Sequence, residues 1–219
     1  MSKVPAFIVN YNRLHLPIAM ANYLADNDTG VDPIIIDNNS DYPPLLEYYK
    51  NCKHKVERMH LNYGNCALFT TGLLDKYNLK GNFILTDPDL DISSIPTDFL
   101  QVLQAGLDKY LWADKCGFSL EIKDLLNNEL TEEVLKWEIG NWGNRLDNMY
   151  YKAAIDTTFA LFRTRMHSFE CLRTERPYTA KHMPWYWTKE NIPEDERYYI
   201  NSISANFNHY SSRIKNIIN

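Results

Sequence analysis

Four short apolar runs in the first 92 residues, each ending in a cluster of polar side chains, constrain the fold of this chain more than any other feature. Pro5-Ala6-Phe7-Ile8-Val9 ends in Asn10-Tyr11-Asn12-Arg13, and Ile34-Ile35-Ile36 ends in Asp37-Asn38-Asn39-Ser40-Asp41. A weaker run at 56–61 ends in Asn62-Tyr63-Gly64-Asn65, and Phe83-Ile84-Leu85 leads to Asp87, Asp89 and Asp91. Between them the apolar residues recur at helical spacing: Leu16, Ile18, Ala19, Met20, Tyr23 and Leu24, then 45–49 behind Pro43-Pro44, then 67–77. Strand and helix alternating every 25 to 30 residues or so predict right-handed βαβ crossovers and a largely parallel sheet. In such a sheet the four polar strand ends share one edge, and that edge is where open α/β folds bind ligands.

The fourth strand end is the most charged. Three carboxylates at alternate positions repel one another unless a cation or a set of donors compensates, so Asp87, Asp89 and Asp91 point to a divalent metal site. A solvated acidic turn is the competing reading of the same residues. Neither Gly-x-Gly-x-x-Gly nor Gly-x4-Gly-Lys-Ser/Thr occurs, so phosphates would have to be held by metal and side chains instead of a glycine-rich cradle. An EF-hand register through Asp87, Asp89 and Asp91 fails at Ile92, where glycine is required, and at Asp98, where glutamate is.

The net charge of −5, with Lys and Arg scattered, excludes the concentrated basic footprint of a nucleic-acid binder. Cys52, Cys66, Cys116 and Cys171 have neither C-x-x-C nor zinc spacing, and are read as reduced thiols of a cytoplasmic protein. Residues 1–9 lack the features of a signal peptide, and no apolar stretch approaches the ~18 residues of a transmembrane span. The second half carries a softer pattern. A helix at 97–109, a strand at 116–122, a helical Trp-bearing stretch at 124–144, a strand at 156–163, an aromatic segment at 176–187 around His182, and a polar helix at 194–219 are expected in turn.

Taken together, FIVNYNR (7–13), IIIDNNSD (34–41), LNYGN (61–65), TDPD (86–89), CGFSLEI (116–122), IDTTFALFR (155–163) and AKHMPWYW (180–187) resemble the GT-A glycosyltransferases of the family 2-like type. The resemblance spans nearly the whole chain. It implies a Rossmann-like, mostly parallel central sheet flanked by helices, with a smaller acceptor-side sheet region, in one domain whose halves meet near residue 96. It implies transfer of a sugar from a UDP- or dTDP-linked donor to a hydroxyl of a glycan, glycolipid or glycoprotein. The departing diphosphate needs a hard cation, Mn2+ or Mg2+. Asp89 is the first metal ligand expected, Asp87 serves the metal or the donor, and the resemblance adds His182, whose imidazole favours Mn2+. For the nucleotide it points to Asn10, Tyr11, Arg13 and Asp37, with Asn62 and Asn65 along the same edge, although the run at 37–40 also suits a plain turn.

An inverting enzyme needs a base for the acceptor hydroxyl, and Asp156 is the expectation. Relatives of this type present the base as Glu-Asp at a helix start, and no such pair occurs between 140 and 165. Trp142, Trp185 and Trp187 are available to stack on an acceptor sugar or to anchor the core. Two alternatives stay open: a haloacid-dehalogenase-like phosphatase, although Asp91 stands where that motif has threonine, and a sugar-nucleotide or glycan-binding domain without turnover. The polar C-terminal stretch leaves room for the chain to be one domain of a longer multidomain transferase.

Overall fold

A computed structural model describes residues 3–126, 131–165 and 170–203. The first half reads β1 (Val4–Asn10), α1 (His15–Asp26), β2 (Val31–Asp37), α2 (Pro43–Tyr49), β3 (Lys55–Arg58), α3 (Ala67–Thr70), α4 (Leu73–Lys76) and β4 (Phe83–Thr86). The second reads β5 (Leu90–Asp91), α5 (Phe99–Lys109), β6 (Lys115–Leu120), α6 (Thr131–Glu138), β7 (Tyr150–Lys152), β8 (Ala160–Phe162), β9 (Cys171–His182) and α7 (Glu194–Ser202). Among the described residues the strands run β3-β2-β1-β4-β8-β6-β9-β5, with β7 also on β9.

The pairs β1–β2, β1–β4 and β2–β3 are parallel, as the repeated strand–helix pattern demands. Their apolar runs are continuous because both faces are covered. Ala6, Ile8, Ile35 and Ile84 pack on the side of α1 and α5. Phe7, Val9, Ile34, Ile36, Phe83 and Leu85 pack on the other, against Ala67, Leu68 and Leu73. The order 3-2-1-4 places the reversal of winding between β1 and β4, and the carboxyl ends of those strands are where open α/β sheets bind ligands.

The second half is mixed. β8 is antiparallel to β4 and β6, β6 and β9 are parallel, and β5 and β7 pair antiparallel with β9. Between the pairs Phe118–Thr174 and Ser119–Thr179, residues 175–178 loop out of β9, with Pro177 following a cis bond.

Several expected elements are shorter than the sequence pattern suggests. The helix at 67–77 is broken at Gly72, whose φ of 76° is left-handed, into α3 and α4. The strand at 156–163 is β only from Ala160; Asp156 sits on the preceding bend. Of the stretch at 124–144, α6 and a 3-10 turn at Ile139–Trp142 are helical, and 127–130 lie outside the described residues. The C-terminal helix is observed over Glu194–Ser202, and residues from 204 onward lie outside the described range.

α7 is nevertheless central. No side chain of α1 itself caps its N-terminus. Asp195 on α7 does so, its Oδ2 accepting the backbone N–H of Leu14 at 2.7 Å and of His15 at 2.9 Å.

Candidate active site

The candidate site is built by the loop after β1, the loop after β4, the end of β9 and the face of α7. Asn12, at φ 56°, turns the chain out of β1. Its backbone N–H donates to Ser40 Oγ at 2.8 Å, its side-chain amide donates to Asp41 Oδ1 at 2.8 Å, and its Oδ1 accepts the N–H groups of Asp41 and Tyr42. This locks the polar ends of β1 and β2 together. Asn38 similarly joins the β2 end to the next loop, donating to Gly64 O at 2.9 Å.

Asn10 is fully buried, donates to Arg13 O at 2.8 Å, and leaves its own Oδ1 without a hydrogen-bond partner. Asp37 is also fully buried, accepting from Tyr49 Oη, Arg58 Nε and the Ser40 N–H at 3.2 to 3.3 Å. Tyr11 is half-buried and meets Tyr199 edge-on, with ring centroids 6.3 Å apart. Asn62 and Asn65 are exposed; Asn62 Oδ1 accepts the Gly64 N–H and Asn65 Oδ1 the Cys66 thiol, so their side chains serve their own turn.

Arg13 is the hub. Its guanidinium donates twice to Glu196, at 2.6 and 3.0 Å, lies 3.5 Å above the Tyr199 ring, and reaches Asp89 Oδ2 at 3.3 Å. Burial opposes its charge, but Glu196, Tyr199 and Asp89 outweigh burial and hold it protonated well above the usual value.

Asp89 Oδ2 also lies 3.6 Å from His182 Nε2, while Oδ1 is buried with no partner. Leu90 pairs with His182 across β5–β9, and the Met183 N–H donates to Asp89 O at 3.0 Å, which fixes Asp89 and His182 next to each other through backbone. Burial resists ionisation of Asp89, yet His182 and Arg13 together hold it well below the usual carboxylate range.

Asp87, two residues away, behaves oppositely. Desolvation and then the Asp89 charge push it up to about 7, despite a 2.5 Å hydrogen bond from Thr157 Oγ1. Asp91 differs again: half-buried, it accepts the Ser93 N–H at 2.9 Å and closes a turn.

Asp156 is exposed on the bend beside Asp87, and its backbone carbonyl accepts Lys115 Nζ at 3.1 Å. Trp142 is half-buried beneath Arg176, whose guanidinium is 4.2 Å from its ring centroid. Trp185 is only 7% exposed and supports His182 edge-on at 4.8 Å, and Trp187 is buried in the core. Of the three tryptophans, Trp142 is the least buried, although Tyr151 also meets its ring edge-on at 5.3 Å.

Among the described residues no three His, Cys, Asp or Glu side chains enclose a cation unaided. Two observations bear on a divalent ion here: Asp89 Oδ1 is a buried acceptor lacking a donor, with the His182 imidazole 3.6 Å from Oδ2 of the same carboxylate, and burial together with the Asp89 charge opposes ionisation of Asp87 more than Thr157 and His182 favour it. The residues that sequence reasoning missed, Glu196, Tyr199 and Asp195, come from α7, more than 180 positions from Arg13, in a polar helix without a motif.

No protein-family model matches the chain, and no curated protein does. Solved structures do. S. aureus TarS 1-349 aligns over 99% of this chain and 69% of its own at 12% identity, with a TM-score of 0.50. The same TarS 1-349 in complex with UDP-GlcNAc gives 14% identity, 99% and 70% coverage and 0.46. Mannosyltransferase PcManGT from Pyrobaculum calidifontis, in complex with GDP-Man and Mn2+, gives 13% identity and 0.45, over 74% of this chain. The chain spans 44% of that mannosyltransferase's length. The fold is of the Rossmann-like glycosyltransferase kind, a curled sheet whose winding reverses between β1 and β4.

Proposed function

We propose that this chain is a glycosyltransferase domain that moves a sugar from a nucleoside diphosphate donor, UDP- or dTDP-linked, to an acceptor hydroxyl of a glycan, glycolipid or glycoprotein with inversion. The observation that carries the reading is the convergence of Asp87, Asp89, His182 and Arg13 at the carboxyl ends of β1 and β4, the switch point of the sheet. Four groups of the two signs needed for a metal-bound diphosphate meet there. The region before about residue 96 is read as the donor half of one domain and the remainder as the acceptor half.

Asp89 and His182, with Asp87, would hold Mn2+ or Mg2+, which when bound supplies positive charge to the departing diphosphate. Asp89 offers Oδ1, because Oδ2 is already shared between Arg13 and His182. Arg13, gripped by Glu196, stands ready to meet a phosphate oxygen without losing its own compensation. Asn10 Oδ1 is a buried acceptor for a donor N–H, and Tyr11 and Asp37 stand along the same edge for base and ribose. Asp156, exposed beside Asp87, takes the proton of the attacking hydroxyl. Trp142 carries the acceptor face.

A thermal-shift panel of nucleotide sugars with and without Mn2+, followed by assays for donor hydrolysis and transfer, tests the reading. Metal-dependent stabilisation by a UDP- or dTDP-sugar with turnover is the expected result. Stabilisation without hydrolysis or transfer would make the chain a binding domain only. Phosphate-ester hydrolysis with no response to UDP would replace the transferase reading by a phosphatase.

A further inference from the structure

The strand end bearing Asp87 is tied to the turn bearing Asp156 by two reciprocal bonds. Thr157 Oγ1 donates to Asp87 Oδ2 at 2.5 Å, and the Asp87 backbone N–H donates to Thr157 O at 2.9 Å. The turn is in turn fixed from behind. Lys115, fully buried on β6, donates to the carbonyls of Ile155 at 2.7 Å and Asp156 at 3.1 Å, and Arg173 Nε on β9 donates to Ala154 O at 2.8 Å. Two buried cations thus hold three successive carbonyls, an arrangement costly to desolvate and hard to explain by packing alone. Arg173 is itself compensated by Glu138, with which it forms a buried ion pair.

The third contact is an absence of side chain. The Phe118 N–H donates to Phe159 O at 3.1 Å, and a Cβ at Gly117 would lie 2.3 Å from that same oxygen and 3.0 Å from Ile155 Cδ1. Only glycine at 117 lets the turn sit this close to β6.

We infer that Thr157 is a positioning residue that orients Asp87 for its ligand, with Lys115, Arg173 and Gly117 clamping the turn so that Asp156 and Asp87 keep a fixed spacing. The inference rests on the transferase reading for its purpose but on geometry for its existence. With Oδ2 engaged by the hydroxyl, Asp87 is left to present Oδ1, the counterpart of the arrangement at Asp89. A turn held this way also carries Asp156 on a rigid support, although the residue itself is exposed.

Thr157→Val and Thr157→Ser separate the hydroxyl from the bulk of the side chain. Titration with MnCl2 alone, followed by thermal shift, is expected to show Thr157→Val weakened by about 10-fold or more and Thr157→Ser within about 3-fold of wild type, the range seen when a group supporting a metal ligand is lost. In donor hydrolysis Thr157→Val is expected to lower kcat while Thr157→Ser restores it. Hydrogen exchange in EDTA reads the latch without metal: the Asp87 amide should exchange about 10-fold faster in Thr157→Val and not in Thr157→Ser. Wild-type Mn2+ affinity and Asp87 exchange in Thr157→Val would overturn the inference, as would equal losses in both variants. A wild type that binds no Mn2+ while the exchange pattern still follows the hydroxyl would sink the transferase reading and leave the latch standing.

Discussion

Asp87 and Asp89 sit two residues apart on one loop, yet their surroundings drive them in opposite directions. Asp89 faces the β1 and α7 side, where Arg13 and His182 overcome the penalty of burial and keep it ionised. Asp87 faces the β6–β8 side, where burial and the neighbouring carboxylates outweigh the Thr157 hydroxyl and the His182 charge and raise it to about 7. One carboxylate is held toward its ionised form by two neighbouring cationic groups. The other would gain most from an added positive charge, so under the proposed transferase reading the two acids have different tasks.

Breaking the compensated side should have the larger structural effect. Arg13→Ala leaves Asp89 and Glu196 buried together without their shared cation, and a loss on the order of 3–5 kcal/mol is expected by chemical denaturation. Asp89→Ala leaves Arg13 still paired twice with Glu196, so it should destabilise much less while lowering metal-dependent donor turnover by about 100-fold or more. If Asp89→Ala proves the more destabilising of the two, Arg13 is not the hub.

The uncompensated side is best probed by pH. The native pKa of Asp87, about 7, lies above its ordinary value of 3.8, so the folded state binds the proton more tightly than the unfolded one between those limits. Its contribution to stability is therefore full below about pH 4 and is lost as pH rises through about 7. In the presence of Mn2+ the sign reverses, since the ion binds the carboxylate: Mn2+-induced stabilisation should grow by up to about tenfold in affinity per pH unit on approaching neutrality. Asp87→Asn should flatten both profiles. A metal response independent of pH in the wild type would remove Asp87 from the ligand set. Asp91→Ala should do least, changing donor turnover by no more than about 2- to 3-fold, because its carboxylate only accepts the Ser93 N–H.

The first half was legible because each of its signals is local. Apolar runs of residues such as Phe7-Ile8-Val9 and Ile34-Ile35-Ile36, buried on both faces, announce parallel strands, and Asn, Asp and Ser at their ends announce the edge. The partners that set the charges were not legible. Glu196 and Tyr199 belong to a polar helix whose pairing with Arg13 is created only by the tertiary fold, and Asp195 caps a helix 180 residues earlier. The apparent strand at 156–163 misled for a related reason. Thr157 and Thr158 favour strand, yet Lys115, Arg173 and the gap at Gly117 bend that segment into a turn. The broken helix at 67–77 was signalled by Gly72 alone, and a lone glycine is tolerated in many helices.

The proposed function requires that the β1/β4 edge hold a nucleoside diphosphate through a cation on Asp89. Calorimetric titration of UDP into the protein with Mn2+, with EDTA, and with Mn2+ in the Asp89→Ala variant tests it most directly. Binding in the first case and its loss in the other two is the predicted result; UDP affinity unchanged by EDTA and by Asp89→Ala would contradict the account.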